Sequence, residues 1–292
     1  MYIDSERGKM NHWLSIRPES IPFKTKEFLP LHSQFIDLFN PDLDIQYLYI
    51  DNKSPVDYVS YFRKFFDCSF NEIVLESDFS VSFTHKYNFV SFTKNYGHSL
   101  HNGYGDFAAR YAMFKFANKL KIPCAIIASD FICLGFKNWL SILNLRAEKE
   151  NSILVPDEPT DNKFPSDAAC ILPQSIIYHL ELTYSACCNL KRYDSHRFLR
   201  NCAGKNLSFI PEMLMANESE FTFKKYLKNK SIINFNRDEL ISLLSKVVLF
   251  YTDFSCGFSF NHWNFLLEFA QDFKGYLEFL KVEEECRALC LK

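Results

Sequence analysis

The amino-acid sequence predicts an α/β protein: a mainly parallel sheet flanked by helices, followed by a C-terminal helical appendage. Three observations lead there. Strand-like and helix-like segments alternate through the first half of the chain. The run 124–128 is fully apolar, as a strand covered on both faces should be. Beyond about residue 221 the apolar residues recur at helical spacing.

The elements follow in order. Residues 12–16 form a short β-capable run that stops at Arg17-Pro18-Glu19. Phe28, Leu31, Phe35, Ile36 and Phe39 lie at helical spacing, and Pro41 ends that helix. Residues 45–50, I-Q-Y-L-Y-I, read as a strand that breaks at Asp51-Asn52-Lys53-Ser54-Pro55. A helix over 56–66 comes next, then short strands at 72–75 and 89–92. Residues 95–106 form a loop holding three of the eight glycines. The strongest helical pattern, F-A-A-R-Y-A-M-F-K-F-A-N-K-L, covers 107–120, and strand 124–128 leads to Ser129-Asp130. Residues 145–166 turn polar, carry Pro156, Pro159 and Pro165, and read as a long loop. Residues 174–211 mix helical pieces with a strand at 207–210, and helices are expected at 237–250 and 262–290. A main domain over 1–215 and an appendage over 216–292 summarise this organisation.

Composition narrows the function classes. The chain has 292 residues, 48% of them hydrophobic, which is enough for a full core. With 33 Lys and Arg against 35 Asp and Glu the net charge is −2, unlike a protein that grips nucleic acid through phosphates. The 10 cysteines are scattered and none pair as C-x-x-C, so neither a disulfide framework nor a zinc site is expected. The start carries no apolar signal segment, and the apolar stretches 124–136 and 243–251 are too short to span a bilayer. A cytoplasmic setting is therefore the expectation. The 31 phenylalanines fall mostly on helix faces and beside strands, where they read as core.

Open parallel sheets bind ligands beyond the carboxyl ends of their strands. Asp51 and Asp130 each follow a strand and so point toward such a crevice. Asp51 suits hydrogen bonds from a base or ribose, and Asp130 suits a divalent cation, because Mg²⁺ and Mn²⁺ favour oxygen ligands. Each also has an ordinary reading, that of capping the turn or helix that follows. Arg110 lies near the start of helix 107–120, where phosphate is favoured, although an exposed helix charge needs no such role. His98 and His101 in the glycine-bearing loop read as solvent-facing.

Four ordered segments carry a resemblance. The run Asp44-Ile45-Gln46-Tyr47-Leu48-Tyr49-Ile50-Asp51-Asn52-Lys53-Ser54 resembles the second strand and nucleotide-contacting turn of the GT-A fold in family 2 glycosyltransferases. Asn102-Gly103-Tyr104-Gly105-Asp106-Phe107-Ala108-Ala109-Arg110 is similar to that family's glycine-containing approach to an arginine-bearing helix. Residues 124–134 resemble the strand ending in the metal-binding D-x-D, which here reads Ala128-Ser129-Asp130. Tyr193-Asp194-Ser195-His196-Arg197, then Ala203-Gly204-Lys205 and Phe209-Ile210-Pro211, resemble the late segment with its acidic base. The first strand offers Arg17-Pro18-Glu19 in place of the family's Pro-x-Tyr-Asn.

The resemblance implies a GT-A-like, Rossmann-like sheet and an inverting transfer from a nucleotide-sugar donor, UDP-type, to a hydroxyl of a glycan or lipid-linked acceptor. The setting it implies is surface polysaccharide or lipopolysaccharide biosynthesis. It assigns Asp194 as catalytic base; Pro18, Asp51, Arg110 and Ser129 to donor binding; and Asp130 to Mn²⁺ or Mg²⁺. The small basic cluster Lys224, Lys225, Lys228 and Lys230 would suit a peripheral contact with the inner face of a membrane, and is equally an ordinary solvated face. Only the last acid of D-x-D is present, which keeps open a degenerate GT-A-like domain used as a binding or scaffold protein. An unrelated α/β nucleotide-binding protein is the third reading.

Overall fold

A computed structural model of the chain describes residues 2–3, 33, 35–51, 71–75, 86–93, 105–127, 132–156, 169–187, 204–217 and 237–252. The strands are β1 (Tyr2–Ile3), β2 (Tyr47–Asp51), β3 (Asn71–Leu75), β4 (Tyr87–Phe92), β5 (Cys124–Ile127), β6 (Ile132–Leu134), β7 (Ile153–Pro156), β8 (Ala169–Leu172), β9 (Leu207–Ile210), β10 (Met213–Asn217) and β11 (Val248–Thr252). The helices are α1 (Gly105–Leu120), α2 (Trp139–Glu150), α3 (Gln174–Cys187) and α4 (Arg237–Leu244). Residues 35–39 are also helical. Mixed helices and strands with a parallel-rich sheet make this an α/β structure.

The first sheet has the order β1-β2-β4-β3, and every pair in it is parallel. Residue alternation along β2 gives it two different faces. Ile50 and Val90, paired across β2 and β4, pack with Ala109, Ala112 and Met113 of α1. The opposite face carries Tyr47 and Tyr49, and there the Tyr47 hydroxyl lies 3.1 Å from the Ser33 carbonyl oxygen. A helix therefore covers each face, which is why β2 is buried along nearly its whole length.

The second sheet has the order β5-β8-β7-β9 and is mixed: β8 runs antiparallel to β5 and β7, while β7 and β9 are parallel. All residues of β7 and β8 are buried. Ile153, Val155, Cys170 and Leu172 join the core shared with α1 and α3. Leu154 and Ile171 pair with each other and alternate to the other face, where α2 packs. α1 is apolar around most of its circumference because it lies between this core and the first sheet. Phe114 of α1 meets Tyr184 of α3 edge to face at 4.9 Å, and Asn118 Nδ2 donates to Glu181 Oε2 at 2.8 Å.

The third sheet, β10-β11-β6, pairs β10 with β11 in parallel and β11 with β6 antiparallel. The helix expected over 237–250 ends at Leu244, and the V-L-F-Y-T run that follows is β11. Branched and aromatic side chains favour a pleated surface, and two neighbouring strands were available to pair with. The expected boundary after residue 215 falls within β10, and the described part of 216–292 is tied through β11 to β10 and β6. A second correction concerns the loop expected over 145–166. Its first part is the end of α2, and residues 153–156 are a fully buried strand. The third is β5, expected in a parallel sheet with β2, which pairs antiparallel with β8 instead.

Left-handed asparagines bound α2: Asn138 (φ 59°) before it and Asn151 (φ 48°) after it. Asn138 Nδ2 donates to Asp42 Oδ2 at 2.7 Å, and its backbone N–H donates to the Phe39 carbonyl at 2.6 Å. Buried Asn40 completes this joint by accepting the Leu140 N–H at 2.8 Å. Among the described residues, no helix is long and apolar enough to cross a membrane.

Candidate functional site

Asp51 is the last residue of β2 and lies opposite Ile3 on one side and Ser91 on the other. It is therefore at the carboxyl end of an inner strand of a parallel sheet, where ligand crevices form. The sequence reading placed it one residue beyond the strand. At 6% exposure it is a buried carboxylate, and it has interaction partners within the protein. Strand alternation turns it toward the face that carries Tyr47 and Tyr49.

Arg110 lies in the second turn of α1 and is 9% exposed. The C-terminal half of α1, through Met113, Phe116 and Leu120, borders the start of β2. α1 thus runs antiparallel to β2, and its N-terminal half with Arg110 points toward the Asp51 end of the sheet. α1 packs on the Ile50 face, while Asp51 turns to the other. The two side chains therefore approach the carboxyl end from opposite sides of the sheet. Pro18, Ser129, Asp130 and Asp194 lie outside the described residues. So do His98, His101 and Lys224 to Lys230. Among the described residues, no group of three or more His, Cys, Asp or Glu is placed to hold a metal ion.

A cleft of about 320 Å³ lies at the opposite, amino end of β2. Residues 43–49 form one wall, the C-terminal half of α1 the second, and β5 with Leu140 and Asn144 of α2 the rest. Rise along a strand puts Tyr47 about 13 Å from Asp51, so cleft and carboxylate are separate places. The sequence contains the α1 stripe that lines it, Met113, Phe116, Ala117 and Leu120, at 3- and 4-residue spacing. Phe116 of that stripe reads as core from the sequence, and it is core: with Met113 and Ala117 it belongs to the buried cluster while also bordering the cleft. No local pattern distinguishes a helix face against a cavity from one against a packed neighbour, because both require the same apolar spacing.

At this end buried phenols sit beside charged groups: Lys86 pairs with Asp37 at 2.7 Å, and exposed Asp44 lines the cleft. Burial, reinforced by the Asp37 carboxylate, pushes the Tyr47 hydroxyl far above the usual phenol range. Burial does the same to Tyr49. Burial also pushes the Cys124 thiol up to about 11, so it stays protonated near neutral pH and is a poor nucleophile. Asn88 Nδ2 donates to the Tyr47 carbonyl at 3.3 Å and satisfies a buried acceptor beside the cleft.

No protein-family model, curated protein or solved structure matches this chain.

Proposed function

We propose that the chain is an inverting, GT-A-like glycosyltransferase that takes a sugar from a nucleotide-diphosphate donor and passes it to an acceptor hydroxyl. The observation that carries this reading is Asp51: a buried carboxylate ending an inner strand of an all-parallel sheet. Such a carboxylate accepts hydrogen bonds from a base or ribose lying across the strand ends. The direction of α1 supports the same reading, since its N-terminal half and Arg110 approach that end, where phosphate charge is favoured.

The chemistry follows from displacement at an anomeric carbon. As the acceptor oxygen attacks, its proton passes to a carboxylate, the role assigned to Asp194, while the bond to the diphosphate breaks. Charge growing on the diphosphate is stabilised by Arg110 and the helix amides. Asp130, which lies outside the described residues, would hold Mn²⁺ or Mg²⁺, and the cation would supply further charge for the leaving diphosphate.

Titration calorimetry with UDP, GDP, CDP and dTDP, each with and without Mn²⁺, tests the reading. Micromolar to low-millimolar binding of at least one is expected, and no binding of any would refute it.

One observation favours a second reading, an α/β nucleotide-binding protein unrelated to the GT-A fold. The strand leading to Ser129-Asp130 pairs antiparallel with β8 and not beside β2, so the metal-bearing strand of the family pattern is not aligned with Asp51. Nucleotide binding without donor turnover would establish this alternative.

A further inference from the structure

We propose that Ser91 joins Asp51 in holding the ribose of the nucleotide by its 2′ and 3′ hydroxyls, so that the site selects ribonucleotides over nucleotides lacking that diol. The assignment rests on nucleotide binding at Asp51 and names the part of the ligand held there. Asp51 of β2 and Ser91 of β4 are paired in register on adjacent parallel strands. Partners in such a pair turn to the same face, about 5 Å apart. The earlier rungs of the same ladder behave this way: Tyr47 pairs with Tyr87, their rings stack at 5.3 Å, and Tyr49 pairs with Phe89. One face of these two strands thus runs from aromatic rungs to a polar rung at the carboxyl end, where ligand crevices form.

The two groups of that rung are complementary. A carboxylate only accepts, whereas a hydroxyl donates and accepts. Asp51 has interaction partners within the protein, and its two oxygens offer about four lone-pair sites, so capacity remains for a ligand hydroxyl. Ser91 is half-buried between buried Val90 and Phe92, and Thr93 is exposed, so the strand reaches the surface just past it. The same row continues outward to Ile3 of β1 and Val74 of β3, so polar residue types occupy only its two inner positions. A vicinal diol presents two adjacent groups, each able to donate and accept, and matches that two-residue width. The pairing edge of a pyrimidine sets a ring nitrogen between two further polar groups, and would bring one of them to an apolar position with no partner.

The test is titration calorimetry on the full chain with UDP, GDP and CDP, each against its 2′,3′-dideoxy counterpart. At least one ribonucleotide is expected to bind, and its dideoxy form at least about tenfold more weakly, having lost a hydrogen bond to a charged group and one to a hydroxyl. Ser91→Ala should weaken the ribonucleotide roughly three- to tenfold and leave the dideoxy form unchanged, since only the first has a hydroxyl for Ser91 to meet. Equal weakening of both forms by Ser91→Ala would make Ser91 a structural residue and overturn the assignment. Equal binding of the two forms by the wild-type chain overturns the diol contact and leaves nucleotide binding standing. Failure of every nucleotide to bind overturns nucleotide binding itself, and the assignment falls with it. Should Ser91→Ala fail to fold, the comparison of the two forms on the wild-type chain still decides.

Discussion

The hydroxyl of Tyr47 donates to Oδ1 of Asp37 across 2.9 Å, joining the first residue of β2 to the helical residues 35–39. Lys86 holds the other oxygen of the same carboxylate at 2.7 Å, and the Tyr87 ring stacks on Tyr47 at 5.3 Å. This clamp sets where the parallel sheet begins. Burial, joined at Tyr47 by the Asp37 carboxylate, commits two phenols, Tyr47 and Tyr49, to their neutral form.

Alkaline stability should report on that commitment. Both hydroxyls titrate higher in the folded chain than the ordinary phenol value near 10, first because of burial. Their contribution is complete below about pH 10 and falls above it, where only the unfolded chain releases the protons. Each phenol contributes a slope of about 1.4 kcal/mol per pH unit in that range. Urea denaturation at intervals from pH 8 to 11.5 should show Tyr47→Phe with a shallower decline than wild type. Matching slopes would mean that Tyr47 ionises freely in the folded state.

Asn40 is the joint between the segment at 35–39 and α2. Its Oδ1 accepts the Leu140 N–H and its Nδ2 donates to the Ile36 carbonyl, both at 2.8 Å, and the residue is 1% exposed. Asn40→Leu leaves a buried N–H without an acceptor, which costs about 1–3 kcal/mol. Equilibrium unfolding in urea checks this, and a change under about 0.5 kcal/mol would show that water replaces the lost bond.

Two glycines separate crowding from backbone strain. A Cβ on Gly135 would sit 2.9 Å from Cδ1 of buried Trp139 and 3.2 Å from Val248, so Gly135→Ala must displace an indole ring and should cost about 1–3 kcal/mol. Gly204 has φ 54° and open space around it, so Gly204→Ala should cost about 1 kcal/mol through backbone strain alone. Tryptophan emission should shift for Gly135→Ala and stay fixed for Gly204→Ala. Unchanged emission in both variants would count against the close approach to Trp139.

Local pattern carried part of this fold. The helix expected over 107–120 is α1, two residues longer, and the strand expected over 124–128 is β5, described over 124–127. In both cases periodicity or a continuous apolar run is decisive by itself. Partner choice was not legible in the same way: nothing local to C-A-I-I says whether its neighbour is β2 or β8. Residues 153–156 were hidden by the prolines and charges that follow, although Ile-Leu-Val is the signature of a covered strand. Residues 248–250 continue the preceding helical period in the sequence, and pairing with β10 and β6 is a long-range fact. At the candidate site, Asp51 was legible because a carboxylate ends an apolar strand. The cleft was not, since a void is made by what fails to fill it.

Asp51 gives the proposed nucleotide site its sharpest test. If its carboxylate accepts hydrogen bonds from a base or ribose, Asp51→Asn replaces a charged acceptor by a neutral one of the same shape. Hydrogen bonds to charged groups are worth about 1.5–3 kcal/mol, so nucleoside diphosphate affinity should fall roughly ten- to a hundredfold. Asp194→Asn should instead abolish sugar transfer and leave that affinity intact, because a base acts on the acceptor and not on the nucleotide. Calorimetry and a donor-turnover assay on the two variants separate the roles, with melting by circular dichroism confirming that each folds. Unchanged affinity in a folded Asp51→Asn would make the buried carboxylate a structural feature of the strand end, and loss of both activities in Asp194→Asn would do the same for Asp194.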